Sequence, residues 1–432
     1  MSLSAVMILM FLGLLITGLP IVFCAAGTAM FCFLYFDIST LTTVTFRMYG
    51  ALSNYTLVAL PLFIVLGVVM SKGNLVKYIF SFANSILRNT LGGIGVAAIL
   101  TSAIFAAISG SSLANAAALG MILLPFMVKY GYKEDFAAGI LATGGTLGIL
   151  IPPSVTMILY GALTEQSVGQ LFMAGMLPGF LAIMVLVITV IILAYVKRDR
   201  SIVIEKEPVR ISEIWTEFKM AFPILLAPII IIGGIYGGFF TPDESAAVAS
   251  VYCLVIALVL YKSIKPKEIF SVFREAAQSS AMIMIIYGGV TVLGFVITMS
   301  RLSNNILERV VGMGLNQWQF VIITMIFLII MGCFLDVVSV MLITIPILYP
   351  IFMTFGFNPL HLAVIYTINM EIGTITPPVG MNLYALSGST GVPIQSVVRG
   401  VLPFMVSMVI ILIIVTIWPE LSTWLPSKMY GN

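Results

Sequence analysis

Apolar runs long enough to span a bilayer as helices recur along this chain, for example residues 181 to 196 and 405 to 418. Each backbone polar group must find a partner in hydrocarbon, so such segments become helices or close into a barrel. Barrel strands would show alternation over roughly ten residues, and these runs show none. The chain is 61% hydrophobic and 9% charged, with a mean hydropathy of +1.16. That lies outside the range of a soluble domain. The expected fold class is an all-α polytopic membrane protein.

Spans are expected at about 4 to 36, 53 to 71, 134 to 160, 169 to 196, 220 to 239, 245 to 262, 276 to 299, 359 to 388 and 395 to 418. Two further apolar regions, 92 to 128 and 318 to 355, are each interrupted by a polar knot, SGSSLAN (109 to 115) and FLDVVS (334 to 339). Each reads as a re-entrant hairpin. The first span lacks a basic flank and reads as a retained transmembrane segment rather than a signal peptide. With the N-terminus cytoplasmic and the C-terminus outside, only Arg47, Arg301, Arg309 and Lys428 of the 20 Lys and Arg fall outside, as the positive-inside rule requires. The stretch 197 to 219 is the cytoplasmic linker. It separates a first repeat, 1 to 196, from a second, 220 to 432, each holding scaffold helices, a hairpin and a broken helix. Short basic and aromatic pieces after Lys72 and Tyr261 read as helices along the cytoplasmic interface. Cys24, Cys32, Cys253 and Cys333 sit in apolar segments and read as buried hydrophobes, and no patch for nucleic acid is present.

The two halves match without a gap at an offset of 225 residues, as from Pro125 to Pro350. The same offset pairs Gly131 with Gly356, Gly148 with Gly373, Pro152 and Pro153 with Pro377 and Pro378, Gly175 with Gly400, and Pro178 with Pro403. Five crossings separate the hairpins, so the second enters from the opposite face and the repeat is inverted. Inverted repeats with paired broken helices point to a secondary transporter with its site near the midplane.

Proline inside a helix removes a hydrogen bond and costs about 3 kcal/mol or more. GTLGILIPPS (145 to 154) and GTITPPVGMN (373 to 382) therefore break their helices and free backbone groups that must meet protein or a polar ligand. Facing them stand the hairpin tips, Ser109 to Asn115 and Leu335 to Ser339, where Asp336 takes the place of Ser111. Oxygens on unwound backbone suit sodium, and half-helix N-termini suit an anion. Two acids lie in this inner region, Asp336 and Glu371, each open to a cation-binding or a helix-capping reading. His361 is expected near the outer end of a span in an interfacial role. No Gly-x-Ser-x-Gly occurs and the single histidine is badly placed for a dyad, which argues against a hydrolase. The broken, inverted helices argue against a passive channel.

SGSSLANAAALG, GTLGILIPPS and GTITPPVGMNLYALSG together resemble the large membrane subunit of the tripartite ATP-independent periplasmic (TRAP) transporters, in the wider ion-transporter superfamily. The resemblance covers essentially the whole chain. It implies an elevator-type transporter of the bacterial inner membrane, with its C-terminus periplasmic, that imports organic acids such as sialic acids or C4-dicarboxylates with sodium. A periplasmic binding protein would deliver the substrate, and a separate small four-helix membrane subunit would be the partner. One sodium site would involve Ser109, Ser112, Asn115 and the backbone from Gly145 through Thr146 and Gly148 to Pro152. The other would involve Asp336, Ser339 and the backbone of Gly373, Thr374 and Thr376. Substrate contacts are expected from Ser111, Asn115, Pro153, Ser154, Pro378 and Asn382. The alternative is a stand-alone ion-coupled anion transporter or antiporter of the same superfamily.

Overall fold

The computed structural model describes residues 2 to 196 and 209 to 431, and among these only helices and connecting turns occur. In the first half they are α1 (Leu3–Ile16), α2 (Ile21–Phe36), α3 (Leu41–Leu52), α4 (Ala59–Lys72, led in by a 3-10 turn from Tyr55), α5 (Val76–Leu87), α6 (Gly93–Ser109), α7 (Ser112–Lys129), α8 (Glu134–Leu150), α9 (Val155–Thr164) and α10 (Val168–Val196). The second half holds α11 (Ile211–Tyr236), α12 (Pro242–Val255, prolonged to Leu260 by a π turn), α13 (Ile269–Met299), α14 (Leu302–Gly312), α15 (Gln317–Phe334), α16 (Val337–Thr354), α17 (Pro359–Thr374), α18 (Met381–Thr390), α19 (Ile394–Ile417) and α20 (Glu420–Tyr430). Among the described residues, 10 helical stretches are long and apolar enough to cross a membrane.

The offset read from the prolines holds in the helices themselves. The second hairpin helix starts at Ser112 in one half and Val337 in the other (337 − 112 = 225), and the broken helix at Glu134 and Pro359 (359 − 134 = 225). Capping explains where several of these helices begin. Ser111 accepts from the Ala114 amide, Asp336 from the Ser339 amide, Ser154 from the Met157 amide, and Asn358 from the Leu360 and His361 amides. Each satisfies a donor that the first helical turn leaves orphaned.

Several expectations are corrected. Residues 4 to 36 are two helices, α1 and α2, because Thr17 to Pro20 ends the first and Pro20 cannot continue it. They fold back on each other: a Cβ on Gly27 would lie 3.7 Å from Leu14 Cδ1. The piece after Lys72 forms the amphipathic α5, whose mate is α14, but the piece after Tyr261 runs on as the opening turns of the 31-residue α13. Of the linker, residues 197 to 208 lie outside the described residues, and α11 already begins at Ile211.

The two halves enclose the broken helices. In the stretch Glu134–Thr164, 89% of the hydrophobic window is buried inside the protein, against 28% for Val168–Val196. An apolar helix that protein covers on all sides can carry irregular backbone and polar groups that lipid would forbid. This places the first break, and the hairpin tip that touches it, inside the protein.

Candidate functional site

In the first break, α8 makes its last turn with the Ile151 amide donating to Leu147. Pro152 and Pro153 have no N–H to offer the carbonyls of Gly148 and Ile149 one turn back. The backbone then runs extended through Ile151 and Ser154 before α9 starts. The first hairpin tip plugs this gap. Gly110 turns left-handed (φ +63°) and its carbonyl accepts the Val155 amide at 3.3 Å, while any Cβ on it would lie 3.0 Å from the Pro153 oxygen. Only glycine meets both conditions without cost. Behind the tip, a Cβ on Gly148 would lie 2.8 Å from the Ser111 carbonyl oxygen, so α8 and the start of α7 are in closest contact.

The second break is built on the same plan with different contacts. Its peptide bond Pro377–Pro378, like Pro152–Pro153, is cis. The Gly380 amide donates to the Cys333 carbonyl at 3.0 Å, and a Cβ on Gly373 would lie 2.7 Å from the Cα of Gly332. The second break therefore leans on the incoming hairpin helix α15, whereas the first also grips the outgoing α7. Leu335 replaces the glycine of the first tip and is extended, not left-handed.

The oxygens around the two breaks fall into three groups. In the first half, Asn115 donates to the carbonyls of Ser102 (3.4 Å) and Gly145 (3.5 Å), while its own Oδ1, Ser109 Oγ and Thr143 Oγ1 are buried and have no donor. In the second, both Asp336 oxygens are engaged by Ser339, through its amide at 3.0 Å and its hydroxyl. Thr374 and Thr376 hydroxyls donate back to the carbonyls of Glu371 and Ile372. The third group crosses between halves: Asn382 Nδ2 donates to Ser112 Oγ at 2.6 Å, and Ser112 donates to Glu371 Oε2 at 3.3 Å.

A cavity of about 380 Å³ lies against these groups. Both tips line it, through Ser109 to Ala114 and Asp336 to Val338, with Ile149, Val155 and Thr156 from the first break and Thr374 and Met381 from the second. Its far wall comes from α4 and α13 and includes Gly67, Ser71, Met282 and Glu275. Glu275 is paired with Lys72 at 2.8 Å.

Of the residues singled out from sequence, Ser109, Ser111, Ser112, Asp336 and Thr374 line the cavity. Asn115, Gly145, Thr146, Gly148, Ser339, Gly373 and Asn382 are buried behind that wall, and Pro152, Pro153 and Ser154 are buried in the first break. Thr376 is half-buried and Pro378 is exposed, both apart from the cavity lining. His361 is buried in the first turn of α17, with Nδ1 3.3 Å from the Ser422 hydroxyl of α20. Sequence reasoning missed Ser102 and Thr143, polar residues inside apolar runs, and the whole wall from α4 and α13. The only available signal was polarity within a span, and for the wall there was none.

A family model described as "Tripartite ATP-independent periplasmic transporter, DctM component" matches residues 8–421. The chain is 39% identical over 394 residues to the C4-dicarboxylate TRAP transporter large permease protein DctM of Pseudomonas aeruginosa, covering 91% of each chain. It is 32% identical over 420 residues to the sialic acid TRAP transporter large permease protein SiaM of Vibrio cholerae, covering 97% of each. Among solved structures it is similar to the YdaH transporter of Alcanivorax borkumensis, with a TM-score of 0.59 at 13% identity, over 88% of this chain and 87% of that one. At that identity the likeness concerns the fold.

Proposed function

The chain belongs to the DctM component family of the tripartite ATP-independent periplasmic transporters, and on that premise we propose that it is the large permease of a sodium-coupled importer of organic anions. The observation that carries this reading is that one cavity touches both hairpin tips and both helix breaks. Neutral oxygens without donors at Ser109, Asn115 and Thr143 suit a hard monovalent cation at the first break, and Asp336 with Ser339 suits one at the second. The N-terminal ends of α7 and α16 flank the cavity and offer partial positive charge to a carboxylate. C4-dicarboxylate and sialic acid carriers are both among its relatives, so the substrate class is a carboxylate-bearing solute.

Hairpin tips and helix breaks line one side of the cavity, and α4 and α13 supply the opposing, mostly apolar wall. Such a boundary suits an elevator movement, in which the hairpin body slides along a fixed scaffold with ions and solute aboard. The family implies a small membrane subunit and a periplasmic binding protein as partners, in the bacterial inner membrane. With the Lys/Arg-rich loops cytoplasmic and α1 and α2 folded back, the N-terminus and the C-terminal α20 both lie on the periplasmic side.

Energetics favour more than one cation. Moving one negative charge into a negative compartment costs about 2.3 kcal/mol per 100 mV, so a monoanion needs at least two cations for the potential to assist. Reconstitution of the permease with its small subunit and binding protein tests the reading. Uptake of a C4-dicarboxylate or sialic acid should require an inward sodium gradient and the binding protein. Equal uptake without either would falsify it.

A further inference from the structure

Glu371 is fully buried on α17, and among the described residues no Lys, Arg or His pairs with it. One carboxylate oxygen accepts from Ser112, the other has no donor, and the Ile149 backbone of the first break also approaches the group. A cap reading fails on position. Glu371 sits in the last turn of α17, where the helix end is already negative and a carboxylate is disfavoured. The N-terminus of α7, reached through Ser112, gives back at most about 2 kcal/mol. A buried, unpaired charge costs several kcal/mol, so this carboxyl either keeps a proton or has a cation beside it.

The neighbours supply the remaining ligands. Asn382 gives its N–H to Ser112 Oγ, which leaves its own buried Oδ1 without a donor. The two bare oxygens, one of a carboxyl and one of an amide, thus belong to groups that both touch the Ser112 hydroxyl. We propose that Glu371, Asn382 and Ser112 hold an additional sodium ion at the seam between the repeats, beside the first of the two sites that the repeat generates and sharing Ser112 with it. This deepens the sodium-coupled reading above and rests on it. The site has no two-fold mate: the offset places Thr146, Met157 and Val337 at the corresponding positions. Its path of entry is the cavity, which Ser112 and Thr374 line.

An added ion changes the charge carried per cycle. With a dianion, two sodium ions leave the cycle electroneutral, while three make it carry one net positive charge inward and let the membrane potential drive it. The test uses the complete reconstituted transporter, wild type and Glu371→Gln, with equilibrium 22Na+ binding and C4-dicarboxylate uptake under an imposed inside-negative potential. The expected result is one bound sodium fewer in the variant, a Hill coefficient for sodium lower by about one, and loss of stimulation by the potential. Should Glu371→Gln fail to insert, Asn382→Ala carries the test, with a sodium half-saturation raised at least about tenfold. Unchanged sodium binding and potential response in a transporting Glu371→Gln would overturn the site, as would a proton gradient replacing sodium with Glu371 still required. A wild type indifferent to sodium would instead sink the preceding reading.

Discussion

The two helix breaks share one sequence plan and differ in how far they are closed. Around the first, Asn115, Thr146 and Ser154 are fully buried and the tip residue Gly110 is locked against Pro153. Around the second, Asp336, Thr376 and Pro377 are half-buried and Pro378 is exposed. At the equivalent cap position, the first site uses the neutral Ser111 and the second the charged Asp336, and both are half-buried and line the cavity. A repeat therefore duplicates geometry without duplicating electrostatics.

That contrast can be broken most sharply at the tips. Gly110→Val places a β-branched side chain at positive φ against the Pro153 oxygen and should cost at least about 2 kcal/mol, whereas Leu335→Val at the matching position should cost under about 1 kcal/mol. Thermal unfolding of the two variants in one detergent gives the comparison, and equal losses would mean that the first tip is no tighter than the second. Next in size, Asn115→Ala removes a buried amide and should cost about 1 to 2 kcal/mol. Ser339→Ala should cost less, because Asp336 retains the Ser339 amide and the cap survives. A third pair bears on charge alone. Asp336→Ser rebuilds the cap that Ser111 makes in the other half, so stability should stay within about 1 kcal/mol while the sodium concentration for half-maximal uptake rises several-fold; an unchanged sodium response would remove Asp336 from ion binding. The smallest effect is expected at the rim, where Lys72 and Glu275 are 33% and 52% exposed. Lys72→Gln should cost less than about 1 kcal/mol, and a larger loss in chemical denaturation would show that the wall from α4 and α13 is braced by this pair.

Hydropathy and proline carried most of the architecture, because both act locally. A run of apolar residues demands a helix wherever it lies, and adjacent prolines end one whatever surrounds them; hence the hairpins, both breaks and their offset were legible as text. The pairing of α1 with α2 was written there too, in the Thr-Gly-Leu-Pro at residues 17 to 20, but the apolar length of 4 to 36 outweighed it. α3 and α20 escaped notice because each is short and only half apolar.

By itself the sequence determined the membrane class, the repeat and the identity of the polar tips. Only the tertiary structure decided that Ser112 of one half faces Glu371 and Asn382 of the other, 259 and 270 residues away, and that α4 and α13 close the cavity. The reason is physical. Repeat symmetry relates equivalent positions within each half, whereas the contacts across the seam depend on how two rigid halves dock, and no local pattern of residues encodes that.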